Sequence, residues 1–352
     1  MIDWTKSMRQ SFEFYKVDPI TWGNTEQITT IIDCTIDNDS DTDTLGSGRI
    51  ESTTTLDEQY VRIYMIAEQD NVSYKIPLAT RLVQSPSSVF NGKYTKITSD
   101  AYTPLIELKE NRPLLGYSVV ENTNIMEIAG TLCTENMRAP VIPVTNNEKL
   151  QIAFIAQTDD TWLSFLRDLI GNADYKFAID ELGKVMFEPY QDINSLQPVW
   201  TFDDGNSSIL YPEVTYDRDI YDIPNVVEVI YSTEGYYFTS RIVNNDPNSP
   251  VSVQNRGREI VYRETNPNSY NIVFQSQLNT YAEKLLKTLS SVECKITYKH
   301  GYCPVRIGDC VLLNYKAAGL NNVKAVVKTQ SIKCEPGCPV TETATFISNL
   351  WR

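Results

Sequence analysis

Runs in which every second residue is apolar dominate the chain. Val61, Ile63 and Met65 alternate with Tyr60, Arg62 and Tyr64, and after a polar turn at 68–71 the alternation resumes at Val72, Tyr74, Ile76 and Leu78. A period of two places successive side chains on opposite faces of a strand, so this pair predicts a hairpin. Asn91-Gly92, between Val89-Phe90 and 93–97, predicts a tight hairpin, because both residues tolerate positive φ. Phe177 and Ile179, then Leu182-Gly183, then Val185 and Phe187 predict another. Val227, Val229 and Tyr231 lead through Glu234-Gly235 into 237–243. The stretches 307–315, 323–332 and 341–347 read as the last strands, the first launched by the Gly308-Asp309 turn.

Period 3.6 appears in few places. Thr158-Asp159-Asp160 offers side-chain acceptors ahead of Trp162, Leu163, Phe165, Leu166, Leu169 and Ile170, with Gly171 expected as the C-cap. A helix over 276–290 places Leu278, Tyr281, Ala282, Leu285 and Leu289 on one face. Residues 124–133 form a third candidate. The expected fold class is mainly β with an α+β insertion. Pro113, Gly116, the extended connector 138–143 and the segment 221–225 mark soft boundaries. No internal repeat is visible.

Length and composition fit a folded chain. With 352 residues, 41% hydrophobic and 22% charged, and only 15 Gly and 17 Pro, disorder and collagen are excluded. No uninterrupted apolar run reaches membrane-spanning length, and Asp3, Lys6 and Arg9 break up the N-terminus, so neither a membrane anchor nor a secretory signal is expected. The net charge of −14 disfavours tight nucleic-acid binding. The single histidine, His300, removes His-rich zinc sites and two-histidine mechanisms. The 21 tyrosines suit strands and interfaces.

Each candidate constellation has a plainer reading beside it. Asp37, Asp39, Asp41 and Asp43 alternate as calcium ligands do, but Thr42 or Thr44 stands where an EF-hand needs glycine, and Gly48 or Ile50 where it needs glutamate. The plainer reading is a solvated loop. Cys303, Cys310, Cys334 and Cys338, with His300, could form a zinc site or a disulfide, but their spacings lack the paired knuckles of a ribbon, and small buried hydrophobes are the plainer reading. Cys34, Cys133 and Cys294 read as core fillers. Leu45-Gly46-Ser47-Gly48-Arg49 reads as a turn, since it lacks the Lys-Ser/Thr of a phosphate loop. His300 could serve Cys303 as a base, yet no orienting or oxyanion element accompanies it. No catalytic residue, cofactor or metal ligand is assigned.

The ordered segments resemble a known family. They are Gln84-Ser85-Pro86-Ser87-Ser88 with Asp100-Ala101-Tyr102-Thr103-Pro104-Leu105-Ile106-Glu107, Asp159-Asp160-Thr161-Trp162, Ile223-Pro224-Asn225-Val226-Val227-Glu228-Val229 and Asn255-Arg256-Gly257-Arg258-Glu259. His300-Gly301-Tyr302-Cys303-Pro304-Val305-Arg306-Ile307-Gly308-Asp309 and Cys334-Glu335-Pro336-Gly337-Cys338-Pro339-Val340-Thr341-Glu342 complete the set. Together they look like the tail-hub proteins of tailed bacteriophages (baseplate or tail-tip hubs), which also occur in phage-derived tail-like particles.

The resemblance implies a ring-forming homotrimer whose protomer carries two barrel-like antiparallel β domains flanking a mixed α/β middle region. The expected divisions are 1–120, 121–220 and 221–352, the last with one packed helix. Three protomers with two modules each would match a six-fold tail tube and taper to a three-fold tip. The implied partners are the tail tube protein, the tape-measure protein and a distal tip or spike protein, with DNA passing through the lumen without specific binding. The implied location is the virion tail, after assembly in the bacterial host cytoplasm. Trimer interfaces of more than roughly 2,000 Å² are expected, using strand edges and tyrosines. Two other classes stay open: a tail-associated cell-wall hydrolase, against which the end of the chain at Trp351-Arg352 without an appended catalytic segment is set, and a receptor- or glycan-binding module displaying Tyr236-Tyr237 and Trp200.

Overall fold

The period-two runs become strands in the computed structural model, which describes residues 2–90, 92–93, 95–193, 195–233, 235–267 and 272–351. Strand accounts for 45% and helix for 14%, so the chain is mainly β as expected. The first block runs β1 (Arg9–Val17), β2 (Asn24–Gln27), β3 (Ile31–Asp39), β4 (Gly46–Ser52), β5 (Gln59–Gln69), β6 (Val72–Phe90) and β7 (Thr95–Tyr102). The middle carries α1 (Ile106–Glu110), β8 (Ser118–Val119), α2 (Ile125–Asn136), β9 (Phe154–Ile155), α3 (Trp162–Gly171), β10 (Tyr175–Ile179) and β11 (Val185–Pro189). Then follow β12 (Trp200–Asp203), β13 (Leu210–Arg218), β14 (Val226–Thr233), β15 (Tyr236–Val243), α4 (Val253–Arg256), β16 (Val261–Thr265) and α5 (Gln275–Leu289). The last strands are β17 (Ser291–Gly301), β18 (Cys310–Asn314), β19 (Val323–Lys333) and β20 (Pro339–Asn349).

One hydrogen-bonded ladder runs β13-β17-β20-β19-β3-β4-β7-β6-β5-β1-β2, with β18 branching from β19 and β12 pairing parallel to β18. The early and late strand blocks therefore meet at the antiparallel β19–β3 pair. By compactness the chain divides into two units, Met1–Val214 with Tyr298–Ala344, and Thr215–Thr297 with Thr345–Arg352.

In the first unit β5 and β6 form the predicted hairpin, turned by Asp70 and Asn71, both at positive φ. The alternation on β5 does not mark one wet face. Tyr60 packs into a cluster with Trp22, Leu82 and the α2–α3 helices, while Val61, Ile63 and Met65 pack into a second with Ile36, Ile50 and Val340. Burial on both sides is the reason Arg62 is buried as well.

Asn124 caps α2 by accepting from the Glu127 N–H at 3.0 Å. On α3 the expected caps shift. Asp160 is occupied by the Gln157 N–H and the Ser164 hydroxyl, so Thr161 caps the helix. Gly171 is its last residue and Asn172 the C-cap, not Gly171. The β10–β11 hairpin forms as read, with Gly183 at φ +74. Phe90 pairs with Thr95 across the predicted Asn91-Gly92 turn, but Asn91 lies outside the described residues.

In the second unit β14 lies between antiparallel β15 and parallel β16. Helix α5 packs Leu278, Ala282 and Leu286 against Val227, Val229 and Tyr231. The predicted stripe is rotated slightly, since Leu286, rather than Leu285, is the residue wholly removed from solvent. The Gln277 side-chain oxygen accepts the Phe274 N–H at 3.1 Å and so closes the helix N-terminus. The predicted turn residue Glu234 lies outside the described residues. No described helix is long and apolar enough to cross a membrane.

Candidate functional site

The joint between the two strand blocks is held by buried and half-buried polar side chains. Register pairs Asn38 with Gln330 and Asp37 with Ser331. The Asn38 amide donates to Gln330 Oε1 at 3.2 Å, and the Ser331 hydroxyl to Asp37 Oδ1 at 2.6 Å. Gln330 Nε2 donates both to the Val305 carbonyl at 2.8 Å and to Glu342 Oε1 at 2.7 Å. The Tyr298 hydroxyl donates to Glu342 Oε2 at 2.6 Å. On the other side the Arg81 guanidinium donates to Asn38 Oδ1 and, at 3.3 Å each, to the carbonyls of Ser47 and Thr80. Side chains more than 200 residues apart in sequence thus form one line of hydrogen bonds on β6, β3, β19, β20 and β17.

His300 lies beside the end of that line. Its Nδ1 lies 2.7 Å from the Gly301 carbonyl, which can only accept, so Nδ1 carries a proton. Its Nε2 lies 3.3 Å from Glu342 Oε2, within ion-pair reach but angled off a hydrogen bond. Both side chains are wholly buried.

Burial sets the electrostatics of the group. It pushes the Arg81 guanidinium down to about 10. It raises the Tyr298 phenol, and the neighbouring Glu342 carboxylate raises it further. The Cys303 thiol is raised by burial and then by Glu342. Cys303 Sγ is 3.8 Å from His300 Nδ1, whose proton is already directed at Gly301. A nucleophilic thiol needs a lowered pKa and a base with a free lone pair toward it, and this geometry supplies neither. A cavity of about 50 Å³ borders the line, with Arg81, Gln330, Asp180 and Arg306 on its wall beside Leu78, Ile179 and Ile332.

A second polar anchor fixes the β10–β11 hairpin. Trp22 Nε1 donates to the Leu182 carbonyl at 2.7 Å, and Arg62 reaches the same carbonyl at 3.1 Å. Arg62 also donates to Thr80 Oγ1, Asn24 Oδ1 and the Trp22 carbonyl, so each arm of the buried guanidinium has an acceptor. Gly183 sits so close that a Cβ there would stand 2.7 Å from Thr80 Cβ.

The carboxylates weighed for calcium do not act together. Asp37 is held by Ser331, Asp39 accepts the Asp41 N–H at 2.9 Å, Asp41 lies 3.8 Å from Lys328, and Asp43 pairs with Arg167 and Lys109. Asp37 and Asp39 belong to β3, not to a loop.

Cys303 in the β17–β18 loop, Cys310 at the start of β18, and Cys334 and Cys338 in the β19–β20 turn are free thiols. Among the described residues, no three His, Cys, Asp or Glu side chains converge as a metal site would require. The Cys334 thiol is raised by a hydrogen bond with Cys34 and by burial.

The 45–49 segment needs a correction. Gly46–Arg49 is the start of β4, not a turn, and a Cβ on Gly48 would stand 2.7 Å from the Thr35 carbonyl. These glycines permit close strand approach. Gly308-Asp309 turns as expected, with Asp309 accepting the Arg306 N–H at 2.8 Å ahead of β18. Trp200 is half-buried and packs on Phe202, Tyr237 is exposed, and the Tyr236 side chain lies outside the described residues.

Arg81, Asn38, Gln330 and Glu342 were not singled out from sequence. Glu342 carried a legible signal. It falls between Val340 and Ala344 in the apolar phase of its strand, where a carboxylate needs partners.

The large, mainly antiparallel sheet with few helices is a fold shared with phage tail proteins. The chain is similar to a tail protein from Neisseria meningitidis MC58, with 12% identity, a TM-score of 0.62 and 96% of each chain covered. It is also similar to the 43 kDa tail protein of prophage MuSo2 from Shewanella oneidensis, with 9% identity, a TM-score of 0.58 and coverage of 95% of this chain and 98% of that one. A chain of the Francisella PdpA–VgrG complex matches with 10% identity and a TM-score of 0.55, over 98% of this chain and 53% of its own. No protein-family model matches, and no curated protein matches by sequence.

Proposed function

We propose that this chain is a structural tail hub, a homotrimer at the distal end of a tail tube that adapts six-fold to three-fold symmetry and leaves a lumen for DNA. The end-to-end correspondence of fold with the Neisseria tail protein carries this reading, because both chains are covered almost completely. The working parts are two strand modules and an insertion, 1–120, 121–220 and 221–352, with β12 and β13 adding strands from the middle segment to the second module. The β19–β3 pair and its polar line hydrogen-bond the early strands directly to β19 within the first compact unit, which suits a passive coupling.

Partners in this reading are the tube, tape-measure and tip or spike proteins, within the virion tail of a particle assembled in host cytoplasm. Charge supports a passage that does not hold DNA. Residues 121–214 carry 15 acidic against 5 basic side chains, and phosphate is repelled by such a surface. The reading assigns no catalysis.

Sedimentation and negative-stain imaging test it. A ring of about 120 kDa, three times the 40.0 kDa chain, that caps tubes of tail tube protein is the expected result. A monomer that ignores the tube overturns the reading.

A further inference from the structure

All seven cysteines are free, and six of them are buried. The seventh, Cys334, is half-buried and directly follows the last residue of β19, so it is the thiol that a dissolved reagent meets first. Register fixes its position on the joint. Lys333 pairs with Thr35 on antiparallel β3, and one step further the Cys334 N–H donates to the Cys34 carbonyl at 2.9 Å. Cys34 and Cys334 therefore stand directly opposite each other, and opposed residues of an antiparallel pair project their side chains from the same face. That face belongs to one apolar cluster, in which Cys34 packs with Ile36, Ile50 and Val340 and against which Cys334 lies. The two thiols are close enough to share a hydrogen bond.

The spacing of such a pair suits a disulfide that can close and open. Opposed residues joined by backbone hydrogen bonds have Cα atoms about 5.5 Å apart, inside the ~4.4–6.8 Å that a disulfide spans. Their Cβ atoms stand roughly 4.5–5.5 Å apart, at or beyond the upper end of the ~3.5–4.5 Å that a relaxed disulfide prefers. A bridge stretched in this way is more readily reduced than an ordinary structural one.

We propose that Cys34 and Cys334 form a redox-controlled staple across the β3–β19 joint. The oxidant is a low-molecular-weight disulfide. Cys334 Sγ, as the thiolate, attacks one sulfur of that disulfide, and the other half leaves as a thiolate that takes up the proton Cys334 has lost. Cys34 Sγ then attacks the mixed disulfide at Cys334 and releases the second half in the same way. Two cysteine thiols and one small disulfide become one cystine bridge and two small thiols. The burial of Cys34 does not hinder the second step, because its target sulfur lies beside it. The bridge ties the early strand block covalently to the late one and closes a loop over most of the chain. It forms within one chain, so it stands apart from assembly. On the hub reading, the reducing host cytoplasm keeps the pair open while the particle is built, and oxidising surroundings close it after release.

The test uses the full chain, reduced beforehand and held in native buffer with about 5 mM oxidised glutathione, then trapped by acid and alkylation and read by intact mass and by peptide mapping without reductant. Two of the seven thiols should be lost, with a mass lower by about 2 Da and a cross-linked peptide pair holding Cys34 and Cys334. A roughly tenfold excess of reduced glutathione should then restore all seven thiols. Without oxidised glutathione all seven should persist. Cys334→Ser, at the half-buried position, should keep its remaining six thiols in the oxidising mixture. Seven thiols that survive oxidised glutathione, a glutathione adduct on Cys334 that goes no further, or a bridge from Cys334 to Cys338, its neighbour in the same cluster, each overturns the pairing. Loss of two thiols from Cys334→Ser does the same. A bridge that resists reduced glutathione overturns its role as a switch. These outcomes leave the hub reading untouched, since sedimentation tests that separately.

Discussion

His300 Nε2 stands 3.3 Å from Glu342 Oε2 with neither side chain exposed to solvent. The carboxylate accepts hydrogen bonds from the Tyr298 hydroxyl and the Gln330 amide, so Glu342 is the acceptor on which two buried donors converge beside the imidazole. Glu342→Ala leaves those groups buried without their partner and should lower unfolding free energy by about 3–5 kcal/mol. Glu342→Gln, which keeps the volume and one acceptor oxygen, should cost less. Urea titrations of both variants check this, and an alanine variant within about 0.5 kcal/mol of wild type, the range of an ordinary surface change, would show that the line of hydrogen bonds does not stabilise the joint.

The thiols should be silent in the folded chain. Cys34, Cys133, Cys294, Cys303, Cys310 and Cys338 are buried. Burial pushes Cys133 and Cys338 up to about 12, far from the thiolate form at neutral pH. A colorimetric thiol reagent at pH 8 should label fewer than one of the seven cysteines quickly, and all seven in denaturant without reductant. Rapid labelling of several thiols in the native state, or a shortfall in denaturant, contradicts the free, buried assignment.

Local patterning made the hairpins and the three longer helices legible, because their signals lie within a few residues. The 61–65 and 72–78 alternations, the Trp162 stripe and Asn124 ahead of α2 are of this kind. The joint was not legible. Asn38 and Gln330 are 292 positions apart, and nothing local to either announces the other. The early strands β3 and β4 were hidden for a different reason. Their sequences, rich in Asp, Ser and Gly, carry turn chemistry, and neighbouring strands override that preference.

Gly48 tests that override. Its backbone passes so near β3 that an added Cβ would meet the Thr35 carbonyl at 2.7 Å, and the atom in the way is backbone rather than a side-chain end that can swing aside. Gly48→Ala should therefore destabilise by about 1–3 kcal/mol, as overpacking does, instead of gaining from a stiffer unfolded chain. Gly116→Ser, at a position where a Cβ meets nothing within 4 Å, serves as the comparison and carries only the cost of positive φ. A chemical melt in which Gly48→Ala matches or exceeds wild type refutes the close-approach account of this segment.

Asp43 gives a pH test with a defined sign. Its carboxylate accepts from Arg167 at 2.9 Å and lies 3.3 Å from Lys109, tying the β3–β4 turn to α3 and α1. The Arg167 hydrogen bond, followed by its charge, holds Asp43 below its ordinary value of 3.8. A carboxylate depressed in the folded state stabilises above the unfolded value, and that contribution is lost as pH falls through the folded one. Asp43→Asn should thus lower stability at pH 7 and converge with wild type near pH 2. The side chain is 51% exposed, so screening holds the gap to about 0.2–1 kcal/mol. Because these oxygens are already engaged by two cations, millimolar calcium should leave the wild-type melting temperature unchanged, whereas a bound ion would raise it by mass action. Differential scanning calorimetry at both pH values, with and without calcium, measures each effect, and a gap that persists at pH 2 or a calcium-dependent rise breaks the assignment.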